Sequence, residues 1–150
     1  MDLSAINPTL LVASLMVAST PILLAAIGEL VVEKSGILNL GVEGMMIIGA
    51  ICGFAAAVVT GSPMIGFLCA AIGGAAVSVI FAVLTQYFLS NQVASGLALT
   101  LFGLGLSAMI GQSYVGIKPP TTYKLDLPLI SDVPILGPIL FSHDLSLIHI

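Results

Sequence analysis

Runs of about 20 almost uniformly apolar residues, separated by breaks only a few residues long, constrain this chain more than any other feature. A helix rising about 1.5 Å per residue needs about 20 residues to cross a hydrocarbon layer about 30 Å thick. The breaks place four spans at residues 9–30, 37–59, 64–89 and 93–115. Pro21 lies inside the first, where a membrane helix tolerates it if neighbours satisfy the freed carbonyl. "TGSP", Thr60 to Pro63, is a turn by composition, and "SNQ", Ser90 to Gln92, turns the third span into the fourth. Connections this short make consecutive helices antiparallel neighbours. The expected fold class is therefore all-α, a polytopic transmembrane helical bundle with about four spans.

Composition excludes a soluble core as the explanation. Hydrophobic residues make up 59% of the chain and charged residues 7%, with a mean hydropathy of +1.23, whereas soluble domains carry about 25% charged residues. Membrane lipid is the expected surrounding. With three lysines, no arginine and a net charge of −4, the chain has no nucleic-acid footprint, and no such partner is expected. A secretory signal is a competing account of the apolar run from Leu10 to Ala26. That account needs a positive leader and a prompt A-x-A-like cleavage site, but the only charge before Glu29 is Asp2. The run is read as a retained first span. Cys52 and Cys69 lie within apolar runs that lack flanking polar ligands, so they read as small hydrophobes rather than as a disulfide or metal pair.

Residues 116–144 differ in composition from the spans. Pro119, Pro120, Pro128, Pro134 and Pro138 remove donors and clash with preceding turns, so the segment cannot be one helix. Its apolar residues are spread throughout, which favours an ordered extramembrane loop over disorder. Orientation from charge alone is thin. Lys34 stands on one side and Lys118 and Lys124 on the other, a count that favours a cytoplasmic loop.

Small residues mark where helices can approach. Gly49 and Gly53 form a GxxxG, and Gly103, Ser107 and Gly111 populate the fourth span. Small side chains let membrane helices meet backbone to backbone. Bundle packing is the plain reading of these positions, and a gating hinge the alternative.

The one polar stretch is "GELVVEKSGILNLGVEGMMIIGA", Gly28 to Ala50. Glu29 and Glu33 are spaced i, i+4 and share a helix face. With Lys34 they can mark simply where the first helix leaves the membrane, Ser35 and Gly36 forming the turn. Asn39 and Glu43 follow that turn, at the start of the second span. If Asn39 caps that helix, Glu43 sits in the first turn, where backbone donors and the dipole favour a carboxylate. Gly36, Gly41 and Gly44 point to broken or closely approached backbone, allowed at membrane depth only against protein or water. Polar groups in such a place are functional candidates. Asn39, Glu43 and Glu29 are therefore candidates for a substrate pathway or helix-coupling site, with structural capping as the alternative.

Enzymatic chemistry finds no support. An intramembrane protease needs a serine with histidine, paired aspartates or H-E-x-x-H on spans, and the two histidines, His143 and His149, both lie close to the C-terminal end. No G-x-x-x-x-G-K-[ST] occurs, so any ATP involved belongs to another chain. Neither a catalytic residue, a metal nor a cofactor is expected.

"AAIGELVVEKSGILNLGVEGMMIIGA", Ala25 to Ala50, resembles the signature of ATP-binding-cassette (ABC) importer permeases of the branched-chain amino acid, simple sugar and nucleoside permease family. The likeness is greatest to the nucleoside and simple-sugar type, in the order Gly28, Glu29, Glu33, Gly36, Asn39, Gly41, Glu43 and Gly44. "NQVASGLALTLFGLGLSAMIG", Asn91 to Gly111, and "VPILGPILF", Val133 to Phe141, extend it over nearly the whole chain. The resemblance implies a bacterial cytoplasmic-membrane permease with about twice as many spans. It would work with a second permease subunit, cytoplasmic ATPase subunits and an extracytoplasmic solute-binding protein. Nucleoside is the first expected substrate, simple sugar the second and branched-chain amino acid the third. A small structural or assembly membrane protein is the alternative from another class. Residues 1–144 would form the N-terminal half of the permease domain, with loop 116–144 extracytoplasmic and Lys34 inside, against the charge count. "LSLIHI", residues 145–150, does not resemble what should follow and is expected to be a non-native tail. The family's loop that docks on the ATPase lies in the later half, so no coupling residue carries over.

Overall fold

A computed structural model describes residues 8–121. The chain divides into two units. Of the described residues, 8–24 and 121 fall in one, and Ala25–Pro120 form the other. The described residues contain four α-helices and no strand: α1 (Pro8–Lys34), α2 (Val42–Thr60), α3 (Pro63–Ala82) and α4 (Gln92–Gly111). A π-helical turn, Val83–Tyr87, extends α3, and a 3-10 turn, Gln112–Tyr114, extends α4. Each of the four is long and apolar enough to cross a membrane, over Ser14–Lys34, Val42–Thr60, Pro63–Tyr87 and Gln92–Tyr114. The chain is a multi-pass membrane protein with an all-α fold.

Local chemistry explains most helix ends. Helix α1 continues through Glu33 and Lys34, past the expected exit at residue 30, because nothing stops it before Gly36. There the Gly36 N–H donates to the Glu33 carbonyl at 2.9 Å and the Ile37 N–H to the Val32 carbonyl at 3.4 Å, with Gly36 at φ +84°. This double closure needs a left-handed residue, which glycine adopts without a Cβ clash. Gly61, at φ +67°, ends α2, and Pro63 at the start of α3 sacrifices no helical donor. Asn91 caps α4, its Oδ1 accepting from the Ala94 N–H at 3.0 Å.

The start of the second helix also differs from the sequence reading. The second helix begins at Val42 and not at Ile37, leaving residues 37–41 non-helical. Asn39 is not its cap, since Gly41 holds that position and makes no side-chain cap bond. The Asn39 Oδ1 instead accepts from the Gly41 N–H at 3.0 Å. Such a local bond competes with a helix for the same donor and delays the helix start. Residues 122–150, which include most of the proline-rich loop and the suspected tail, lie outside the described residues.

Within the unit from Ala25 to Pro120, α2 packs against both α3 and α4, while α3 and α4 touch each other little. Ile48, Val77, Phe81 and Leu99 form the buried cluster, with Ile37, Met45, Cys52 and Leu106 packed against it. Glycines set the spacing. A Cβ on Gly49 would lie 3.0 Å from the Ala70 carbonyl oxygen, and one on Gly53 2.9 Å from the Gly66 carbonyl oxygen. These two face α3. A Cβ on Gly103 would lie 2.7 Å from the Gly44 Cα, so Gly103 meets α2 backbone to backbone. Ser107 is half-buried, and a Cβ on Gly111 would reach only the Ile51 Cδ1 at 3.7 Å. Edge-on contact between Phe54 and Tyr114, 6.1 Å between ring centres, ties the end of α4 to α2. Cys52 and Cys69 are free thiols, both half-buried.

Candidate functional site

The break at residues 37–41 has a problem to solve, because its peptide groups lack helical partners, and a buried group left unpaired costs about as much as a lost hydrogen bond. Four side chains solve it. The Leu38 N–H donates to the Gln92 Oε1 at 2.8 Å, and the Asn39 N–H to the Glu29 Oε1 at 2.9 Å. The Leu40 carbonyl accepts from the Thr100 hydroxyl at 3.0 Å, and the Gly41 N–H is held by Asn39 itself. The Gly41 carbonyl then receives the Met45 N–H at 3.1 Å, which opens α2. The break thus hangs between the last turns of α1 and the first turns of α4.

Close backbone approach completes the arrangement. A Cβ on Gly96 would stand 2.9 Å from both the Leu40 and the Gly41 nitrogens, and one on Gly44 2.5 Å from the Leu99 carbonyl oxygen. No side chain fits at either position without moving backbone. Asn39 is buried, and its Nδ2 points to the Met45 sulfur at 3.5 Å. The other carboxylate oxygen of Glu29, Oε2, is buried and has no hydrogen-bond partner among the described residues.

The structure therefore brings Glu29 and Asn39 together. Glu43 stands apart from them: it lies in the first turn of α2 and is exposed. Glu33 and Lys34 are likewise exposed, at the end of α1. Gln92, Gly96 and Thr100 were not among the sequence candidates. Their signal was a hydroxyl and an amide on the face of an apolar span, which by itself does not name a partner 54 or 60 residues away. No group of three or more histidine, cysteine, aspartate or glutamate residues placed to hold a metal occurs among the described residues. What the arrangement offers is a connection between two membrane-crossing helices, α1 and α2, held by side chains of α1 and α4, with one buried carboxylate oxygen unpaired among the described residues.

Comparison with known proteins gives this arrangement a context. Residues 11–128 match the family described as branched-chain amino acid transport system, permease component. The chain is 40% identical over 128 residues to a putative glucose ABC transporter permease protein of Haloferax volcanii, covering 83% of this chain and 39% of that protein. It is 32% identical over 145 residues to a guanosine ABC transporter permease protein of Bacillus subtilis, with 89% and 46% covered. To a nucleoside ABC transporter permease protein of Lactococcus lactis it is 30% identical over 144 residues, with 89% and 45% covered. The chain thus spans less than half the length of these relatives. No solved structure matches it. With a family match over most of its length and four helices able to cross a membrane, the chain belongs to the branched-chain amino acid transport system permease component family.

Proposed function

We propose that this chain is part of the permease subunit of an ATP-driven importer that carries a small polar solute across the cytoplasmic membrane of a bacterial cell. Its first substrate class is nucleosides, its second simple sugars and its third branched-chain amino acids. Two of the three relatives are named for guanosine or nucleosides, which supports the first rank. The relative named for glucose supports the second. ATP hydrolysis belongs to separate cytoplasmic subunits, and a second permease subunit and an extracytoplasmic solute-binding protein complete the assembly.

The observation that supports a transport role for this region is that polar side chains from α1 and α4 hold the backbone of residues 37–41, with Asn39 buried among them. Glu29 and Asn39 couple α1 to the break, and Glu43, exposed on α2, lines the path. Binding selectivity resides in the solute-binding protein, since a path that must release its cargo holds it weakly. Loop 116–144 lies outside and helps to form the docking face for that protein, its prolines limiting the entropy lost on ordering.

Two experiments test this reading. The solute-binding protein encoded beside the gene is titrated with guanosine, glucose and leucine; tight binding of leucine and none of guanosine overturns the substrate ranking. A cysteine replacing Thr122 in the full-length protein should react with an impermeant thiol reagent added to intact cells. Labelling only after lysis reverses the topology.

A further inference from the structure

We infer that Gln92 and Thr100 of α4 are positioning residues that, with Glu29 of α1, clamp the break at residues 37–41 so that both flanking helices hold it in one conformation. The bonds fall on successive residues, Leu38, Asn39 and Leu40, and come from both α1 and α4. Each gives a partner to one backbone group that has none within a helix. Gly96 makes the geometry possible, because a Cβ there would stand 2.9 Å from the Leu40 and Gly41 nitrogens, closer than α4 and the break could tolerate. The break is therefore not a slack linker between two helices. Any movement of α4 relative to α1 must either carry the break along or part these bonds. That gives Gln92 and Thr100, which bear no charge, control over where Asn39 and Glu43 stand. This inference rests on the transport reading of the break, and the test below separates the two.

The test uses the full-length transporter with its partner subunits, with Cys52 and Cys69 replaced by alanine. Single cysteines are placed at Leu40, beside the clamped carbonyl and 42% exposed, and at Val59, at the far end of α2 and 76% exposed. Thr100→Val removes the hydroxyl at nearly constant shape, and Gln92→Leu removes the acceptor. Each should raise the maleimide labelling rate at position 40 several-fold, leave position 59 unchanged, and lower the maximal uptake rate with little change in KM. Thr100→Ser and Gln92→Glu, which keep the donor and the acceptor, should restore both readouts. Where Thr100→Val does not assemble, Gln92→Leu, on the half-buried first turn of α4, supplies the same measurement. Unchanged labelling at position 40 in either assembled variant overturns the clamp. Raised labelling with normal uptake upholds the clamp and counts against a transport role for the break.

Discussion

Replacing Gly44 with alanine puts a methyl group where two helices leave no room for one. Its Cβ would lie 2.5 Å from the Leu99 carbonyl oxygen and 2.8 Å from the Thr100 Cα, backbone atoms that cannot rotate aside. Carbon and oxygen in contact need about 3.3 Å, so α2 and α4 must part by roughly 0.8 Å. A gap of that size forfeits about a quarter to a half of each dispersion contact along the seam, and overpacking of this kind costs about 1–3 kcal/mol. Gly105, on the same α4, is the matched control: a Cβ there meets nothing within 4 Å. Alanine at that position gains up to about 1 kcal/mol of helix propensity. The same chemical change should thus differ by about 1–4 kcal/mol between the two sites, about 5- to 1,000-fold in the folded to unfolded ratio. In thermal melts of the purified full-length protein Gly44→Ala should therefore melt below Gly105→Ala. Parting the helices also lengthens the 3.0 Å bond from Thr100 to the Leu40 carbonyl, so uptake should fall in the molecules that do assemble. Equal melting temperatures for Gly44→Ala and Gly105→Ala would refute the close seam.

Two further substitutions probe the helix ends on either side of the break. Gly36→Ala forces a Cβ into the left-handed region at φ +84° and should cost about 1–2 kcal/mol in the same melts, with Gly36→Asn milder. A Gly36→Ala protein as stable as the parent would mean that the closure of α1 matters little. Asn91→Ala removes the cap on the Ala94 N–H and should cost about 0.5–2 kcal/mol, whereas Asn91→Asp, which keeps the acceptor, should recover most of it. Equal loss in both would show that the cap bond is not what holds the start of α4.

How far the fold can be read from the sequence depends on whether a feature is local. Spans are legible because length and apolarity are properties of a continuous run, and the bilayer fixes the length required. The GxxxG at Gly49 and Gly53 is legible for the same reason, although that α3 rather than α4 faces it is not. The start of α2 was misread because Ile37, Leu38 and Leu40 are as apolar as the span that follows. Only the side-chain bond from Asn39 to Gly41 decides the matter, and it belongs to a three-dimensional turn rather than to composition. Glu29 and Asn39 were legible as candidates because polar side chains stand out in an apolar run. Their union was not, since the bond runs from the Asn39 backbone N–H to the Glu29 carboxylate. Gln92 and Thr100 act on peptide groups as well, and backbone partners leave no mark on the sequence that could be matched to them.

Glu43 offers the most direct measurement of the central claim, that the polar stretch from Gly28 to Ala50 serves transport. It lies in the first turn of α2, exposed, where the helix dipole favours its charge whatever its role. Glu43→Gln keeps the shape and most of the hydrogen-bonding capacity and removes the charge. If the carboxylate only steadies the helix start, the loss is about 0.3–1 kcal/mol and transport continues. Nucleoside uptake per assembled transporter should be measured for the full-length protein and for Glu43→Gln at equal abundance in the membrane. A marked fall in uptake with abundance unchanged is the predicted result; near-normal uptake would contradict it and leave Glu43 a structural residue.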